Sequence, residues 1–302
     1  MSSSTVLNTQ LFHSGGLSMQ YATWGSGKNV LLTFHGFSRS HRDFVSFTQN
    51  LDSDFTIYAF DLFFHKSASI GKRKADKDPL RPAELKTYFE EFLKFINTDK
   101  VWLMGYSLGG RISLKLAEIM PDKIGGLYLF APDGLVVNSW YAILSFNSPG
   151  RALFRFLIKH SGFFLKILDF IHKIGIISEK RKAFVLANIK TTEMQWQVYH
   201  VWTFLRKIDP KMHVLGAALL TSRESAGMAN EITVDLFMGK YDRIIPIKNS
   251  ERLKKAFPKL KLHIMECGHV MLTPHIAKEI DEKGLMQMPE KSHPTRQENT
   301  SY

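Results

Sequence analysis

The sequence predicts an α/β fold: a mostly parallel central sheet flanked by helices on both faces, with an inserted helical cap. Three observations predict it. Short apolar runs bounded by turn residues alternate with amphipathic, helix-length segments through about residue 130. The alternation gives way to helical runs alone over residues 134–213 and then resumes. One apolar run passes directly into Gly105-Tyr106-Ser107-Leu108-Gly109, a strand that turns sharply into a helix. Strands separated by helices pair in parallel, because the crossover carries the chain back to the same sheet edge, and both sheet faces are then covered.

Each element has its own signal. Residues 19–24 read as a strand, and 30–34 as a buried strand that enters a turn at His35-Gly36. After Ser38-Arg39-Ser40 comes an amphipathic stretch through Leu51, then a second apolar run over 55–62. Residues 82–96 carry Leu85, Phe89, Phe92, Phe95 and Ile96 at helical spacing, with Pro82 near the start. A strand over 101–104 precedes a helix over 108–119, which Pro121 stops, and 124–130 forms a further strand. Beyond the insert, 232–238 and 260–265 read as strands, and 247–257 and 276–283 as helices. The expected organisation is a core in two parts (6–133 and 214–284), a cap over 134–213, and a loose polar tail over 285–302. Residues 1–5 are equally small and polar.

Composition narrows the class. With 44% hydrophobic and 23% charged residues the chain is an ordinary globular protein. No basic segment followed by an apolar run opens it, and no window approaches the roughly 18 consecutive apolar residues of a membrane span. A cytoplasmic location is expected. Cys267 is the sole cysteine, so neither an internal disulfide nor a cysteine-based metal site is expected, and no cofactor is implied. Its apolar strand neighbours favour a buried, inert thiol.

The formal charge of +12 is concentrated in the insert, where residues 134–213 hold 12 Lys or Arg against 4 Asp or Glu. No nucleic-acid-binding motif accompanies this block, and its aromatics sit inside apolar helical runs, so nucleic acid is not an expected partner. Arg155, Lys159, Lys166 and Lys173 recur at spacings of four and seven and would align as a basic stripe on a continuous helix, unless Gly162 splits it. The plain reading is a lid helix with its apolar face on the site and its lysines in water. The sharper one is peripheral contact with an anionic membrane.

Chemistry converges on Ser107. A serine hydroxyl is a poor nucleophile until a base takes its proton, and it must be accessible. A bare G-x-S-x-G arises by chance in roughly one chain in ten of this length, so its position carries the argument. Here it lies between strand and helix, as a nucleophile elbow requires, and the helix directs its first N–H groups toward the site.

With four further elements in order, the chain resembles the α/β-hydrolase superfamily, in particular its serine-nucleophile, lid-bearing esterases and lipases. His35-Gly36-Phe37 stands where the family has its oxyanion loop, and Phe60-Asp61-Leu62 where it has a turn of the form D-x-x-G-x-G-x-S. Gly239-Lys240-Tyr241-Asp242 stands where it carries an acid, and Gly268-His269 where it carries the base. The resemblance implies a triad of Ser107, Asp242 and His269, with the backbone N–H groups of Phe37 and Leu108 as oxyanion donors. Asp133, after the sixth strand, is the alternative acid. His35, His65 and His275 are weaker candidates for the base, and His35 and Asp61 are expected to be structural. One departure is plain: Asp61-Leu62-Phe63-Phe64-His65-Lys66-Ser67 lacks the family's glycines.

Serine at the elbow argues against the carboxylate-nucleophile dehalogenases and epoxide hydrolases of the superfamily. The implied reaction is hydrolysis of a carboxylic ester in a small hydrophobic substrate, with 13 aromatic residues in the insert matching an apolar pocket. Carbon–carbon hydrolysis of a diketone and thioester hydrolysis remain open with the same triad. A non-catalytic scaffold that binds a small ligand is the alternative from another class.

Overall fold

The computed structural model describes residues 7–136, 139–188, 191–225 and 232–286. The expected loose ends, residues 1–5 and nearly all of 285–302, lie outside them.

The chain opens with an antiparallel hairpin, β1 (Thr9–Ser14) and β2 (Leu17–Trp24), and continues through β3 (Asn29–Phe34) and β4 (Phe55–Phe60). Helix α1 (Pro82–Phe95), strand β5 (Val101–Tyr106), helix α2 (Leu108–Ile119) and strand β6 (Ile124–Phe130) follow. Five helices come next: α3 (Ser139–Ser145), α4 (Ser148–Lys159), α5 (Ser161–Lys173), α6 (Glu179–Asn188) and α7 (Thr192–Phe204). Helix α8 (Met212–Ser225) leads back to β7 (Thr233–Gly239), then α9 (Ser250–Ala256), β8 (Lys261–Met265) and α10 (Pro274–Glu282).

The eight strands form one sheet in the order β1-β2-β4-β3-β5-β6-β7-β8. β2 pairs antiparallel with β1 and β4, and every pair from β4/β3 to β7/β8 is parallel. The parallel strands are apolar on both faces because helices cover both. One face packs α1, α2 and α8 through residues such as Phe89, Leu116 and Leu215. The other packs α10 and the 41–51 segment through Ile276, Ile280, Phe44 and Phe47.

Two expectations needed correction. The hairpin strand β1 was not anticipated, because Thr9–Ser14 is mostly exposed and offers little apolar signal. The amphipathic stretch after Ser40 forms only two short 3-10 turns, His41–Phe44 and Gln49–Leu51. Its apolar residues are spent on packing under the sheet rather than on a continuous helix. The helical run through the insert breaks at His160, where φ −116° and ψ 54° depart from the helix, two residues before Gly162. The insert is nevertheless anchored: Phe204, Leu205 and Ile208 sit in the same core as α1 and α2.

Candidate active site

Ser107 stands alone between β5 and α2 with φ 51° and ψ −114°, a left-handed conformation that costs a non-glycine residue about 1–3 kcal/mol. The neighbouring strand holds it there: its N–H donates to the Phe130 carbonyl at 3.0 Å, and its own carbonyl accepts from Asp133 N–H at 2.9 Å. Gly109 makes the turn possible. A Cβ at that position would lie on the carbonyl of Phe34, since α2 starts directly against the end of β3. The sharp bend lifts the Ser107 side chain out of the sheet edge and leaves it half-buried.

The loops after β7 and β8 bring the other two groups to it. His269 Nδ1 lies 2.8 Å from Asp242 Oδ2, and its Nε2 lies 3.0 Å from Ser107 Oγ. Asp242 is buried, and its other oxygen accepts the backbone N–H groups of Ile244 at 2.8 Å and Ile245 at 2.9 Å. With Oδ1 so occupied, Oδ2 receives the Nδ1–H of His269. That tautomer leaves the Nε2 lone pair facing the Ser107 hydroxyl. The two loops are tied together by Lys240 N–H on Met265 O (2.8 Å) and Tyr241 N–H on Cys267 O (2.9 Å). Tyr106 also donates its hydroxyl to the His269 carbonyl at 2.9 Å, fixing the base from the nucleophile's own strand.

Asp133 is not brought to the base. Arg111 forms an ion pair with its carboxylate, whose other oxygen caps Gly134 N–H at 2.7 Å. Burial pushes the Cys267 thiol up to about 11, so it is protonated at neutral pH although only half-buried. His275 begins α10.

Leu108 is the first residue of α2, where the helix offers its N–H no acceptor. Phe37 lies in the loop after β3, and its N–H makes no hydrogen bond among the described residues. That loop is braced by two buried histidines. His35 donates Nδ1–H to the Gly36 carbonyl at 2.7 Å and accepts Leu62 N–H on Nε2 at 3.0 Å. His65 donates Nδ1–H to the Phe63 carbonyl at 3.0 Å and accepts Ser38 N–H on Nε2 at 3.1 Å. Their rings meet edge to face at 4.9 Å, and Phe37 packs edge-on against His65 at 5.6 Å. Burial drives the pKa of His35 down to about 3, helped by the neighbouring His65, and burial likewise lowers His65. Both rings are therefore neutral acceptors at physiological pH. Asp61 completes the brace by accepting His41 N–H (2.8 Å) and Nδ1–H (2.9 Å). Burial alone would raise its carboxyl, but the His41 hydrogen bonds outweigh burial and hold it below its ordinary value.

The departure at 61–67 acquires a meaning here. Phe64 (φ 64°) and Lys66 (φ 49°) occupy the two positions of the family's glycines, and both are left-handed. The Phe64 ring stacks on His200 of α7 at 5.4 Å and meets Phe204 edge-on at 5.6 Å, while Gln197 donates to the Phe64 carbonyl at 2.8 Å. The turn thus ties α7 to the loop after β4. Sequence reasoning missed His65 as a brace; its one signal was a histidine inside a turn that otherwise favours small residues.

Comparison with known proteins agrees with this fold. The model of the alpha/beta hydrolase fold family matches residues 29–275. The chain belongs to that family and is classed with its hydrolases. It is 20% identical over 267 residues to 2-hydroxy-6-oxononadienedioate/2-hydroxy-6-oxononatrienedioate hydrolase 1 of Pseudomonas putida, covering 84% of this chain and 86% of that protein. It is 27% identical over 129 residues to the dihydrolipoyllysine-residue acetyltransferase component of an acetoin cleaving system, also from Pseudomonas putida. That match covers 42% of this chain, which spans only 34% of the relative's length. Among solved structures, a carboxylesterase of the thaumarchaeon Nitrososphaera gargenis superposes with a TM-score of 0.61 at 16% identity, covering 91% of this chain and 96% of that one. No helix among the described residues is long and apolar enough to cross a membrane.

Proposed function

We propose that this chain is a serine hydrolase that cleaves a carboxylic ester of a hydrophobic substrate through an acyl-enzyme. The observation that carries the reading is the unbroken hydrogen-bond chain from Asp242 through His269 to Ser107, at 2.8 and 3.0 Å. His269 Nε2 takes the hydroxyl proton as Ser107 Oγ attacks the acyl carbon. The N–H groups of Phe37 and Leu108 receive the oxyanion that forms. His269 then passes the proton to the departing alkoxide oxygen, and the acyl group stays on Oγ. Water enters by the same route: His269 takes its proton, hydroxide adds to the acyl carbon, and Ser107 recovers its proton as the acid leaves. Asp242 keeps the Nδ1–H tautomer in place and stabilises the imidazolium of both steps. The carboxylesterase of matching fold supports the ester assignment by analogy.

A second reading, hydrolysis of a carbon–carbon bond in a diketone by the same triad, is favoured by one observation. The P. putida hydrolase matched over most of the chain is named for substrates that carry hydroxy and oxo groups.

Turnover of a short-chain nitrophenyl ester tests the first reading. Wild type is expected to turn over and to be labelled at Ser107 by a fluorophosphonate, with the adduct located by mass spectrometry. Ser107→Ala is expected to lower turnover by on the order of 10⁴ or more. Ester turnover that survives in Ser107→Ala overturns the mechanism. A labelled Ser107 with no ester turnover, but with cleavage of a diketone, selects the second reading.

A further inference from the structure

We infer that α4 and α5 form a docking ridge for an anionic lipid surface. The stripe expected from sequence does not exist as such, because Arg155 turns inward to an ion pair with Asp76 at 2.7 Å and a hydrogen bond to Tyr199 at 2.6 Å. A different face takes its place. On α4 and its C-cap, Leu153 (47% exposed), Phe156 (47%) and His160 share one side, opposite the buried Ile158. On α5, Phe163 (54% exposed), Lys166, Phe170 (62%) and Lys173 follow at intervals of three and four, opposite the buried Leu168. The two faces join where the rings of Phe156 and Phe163 meet edge-on at 6.3 Å. The result is one outward apolar ridge with lysines along it, the reverse of a lid helix that buries its apolar side and wets its charges.

The charges identify the occupant. Lys159, Lys166 and Lys173 are exposed and pair with no carboxylate among the described residues. Asp169, the only acid on α4 and α5, is taken by Lys182 at 2.9 Å. A second copy of this chain would place the same unpaired lysines in a protein interface, whose centre disfavours lysine. An interfacial helix face instead combines rings that enter the acyl boundary with lysines that reach anionic headgroups. The docking is independent of the ester chemistry, since none of these residues touches the site.

Co-sedimentation of the full chain with phosphatidylcholine vesicles, with and without phosphatidylglycerol, tests this. Binding is expected only to the anionic vesicles and is expected to weaken as salt is raised. Lys166→Glu with Lys173→Glu should weaken it at least roughly tenfold, as each lysine near the surface contributes about fivefold. Phe163→Ser with Phe170→Ser should weaken it comparably, while far-UV circular dichroism melts confirm that both variants fold. Ser107→Ala should bind vesicles like wild type, so failure of the hydrolase reading leaves this one standing. The inference is overturned if the wild type does not sediment with anionic vesicles at low salt, or if both double variants bind undiminished. It is equally overturned if the wild type is a dimer that the Phe163/Phe170 variant dissociates, which assigns the ridge to a second copy.

Discussion

His35 and His65 clasp each other's loops in opposite directions. His35, after β3, accepts Leu62 N–H from the loop after β4; His65, from that loop, accepts Ser38 N–H next to Phe37. The reciprocal pair fixes where the Phe37 N–H points, and it does so with neutral rings whose Nε2 lone pairs face backbone donors.

His65→Ala should therefore lower kcat more than it raises KM. Losing the alignment of one oxyanion donor costs up to about 10²–10³ in rate, and a loosened donor should cost about tenfold or more. His65→Gln, whose side-chain oxygen can accept the Ser38 N–H, should recover most of kcat. Steady-state kinetics on a soluble ester separate the two parameters. Equal loss in both variants, or a loss confined to KM, would refute the brace.

Stability should fall on acidification below about pH 6.5, the unfolded histidine value. His35 titrates in the folded state only near 3, so between these limits the unfolded chain binds the proton and the folded chain does not. Folding free energy is retained in full above the window and lost as pH falls through it, at up to about 1.4 kcal/mol per pH unit for each such histidine. His65 adds to the loss in the same direction. Urea unfolding of wild type and His65→Gln at pH 7.5 and 5 checks this: the variant should show the shallower dependence.

The strained turn at Phe64 and Lys66 separates two effects. Lys66 is exposed, so Lys66→Gly should relieve its left-handed backbone and stabilise the fold by about 1 kcal/mol. Phe64→Gly relieves the same strain but deletes the packing on His200 and Phe204, so it should yield no gain. Thermal denaturation of the two variants would expose an error if they shifted alike.

Replacement of the two candidate acids should divide sharply. Asp242→Asn presents the wrong tautomer to Ser107 and should reduce kcat by about 10⁴. Asp133→Asn leaves the triad intact and breaks the ion pair with Arg111, so stability should fall while kcat changes little. Parallel kinetics and melts of both variants decide the matter.

Gly109→Ala is expected to destabilise the fold by about 3 kcal/mol, the upper range for forced overpacking, because its methyl group has no space beside Phe34. A melting temperature equal to wild type would show that α2 can shift away from β3.

The parallel strands and the elbow at Ser107 were legible in the sequence because they are local, whereas joining Ser107 to His269, 162 residues away, rested on the family's order. A strand buried on both faces is an apolar run, and an elbow is a strand, two glycines and a helix. The hairpin strand β1 was not legible, since its stability comes from pairing with β2 rather than from its own residues. The choice of Asp242 over Asp133 rested on family order alone until Arg111, 22 residues before Asp133, was seen to occupy that carboxylate. The histidine clasp joins residues 27 apart through backbone N–H groups, which carry no residue signature. The insert was legible as basic, aromatic and helical, yet periodicity could not say which face met the protein. The inward ion pair of Arg155 shows which way that side of α4 faces, and on α5 Phe163 and Phe170 lie exposed beside Lys166 and Lys173. A nucleophile can be read from chain order; a docking face depends on which neighbours a side chain finds once the chain has closed around it.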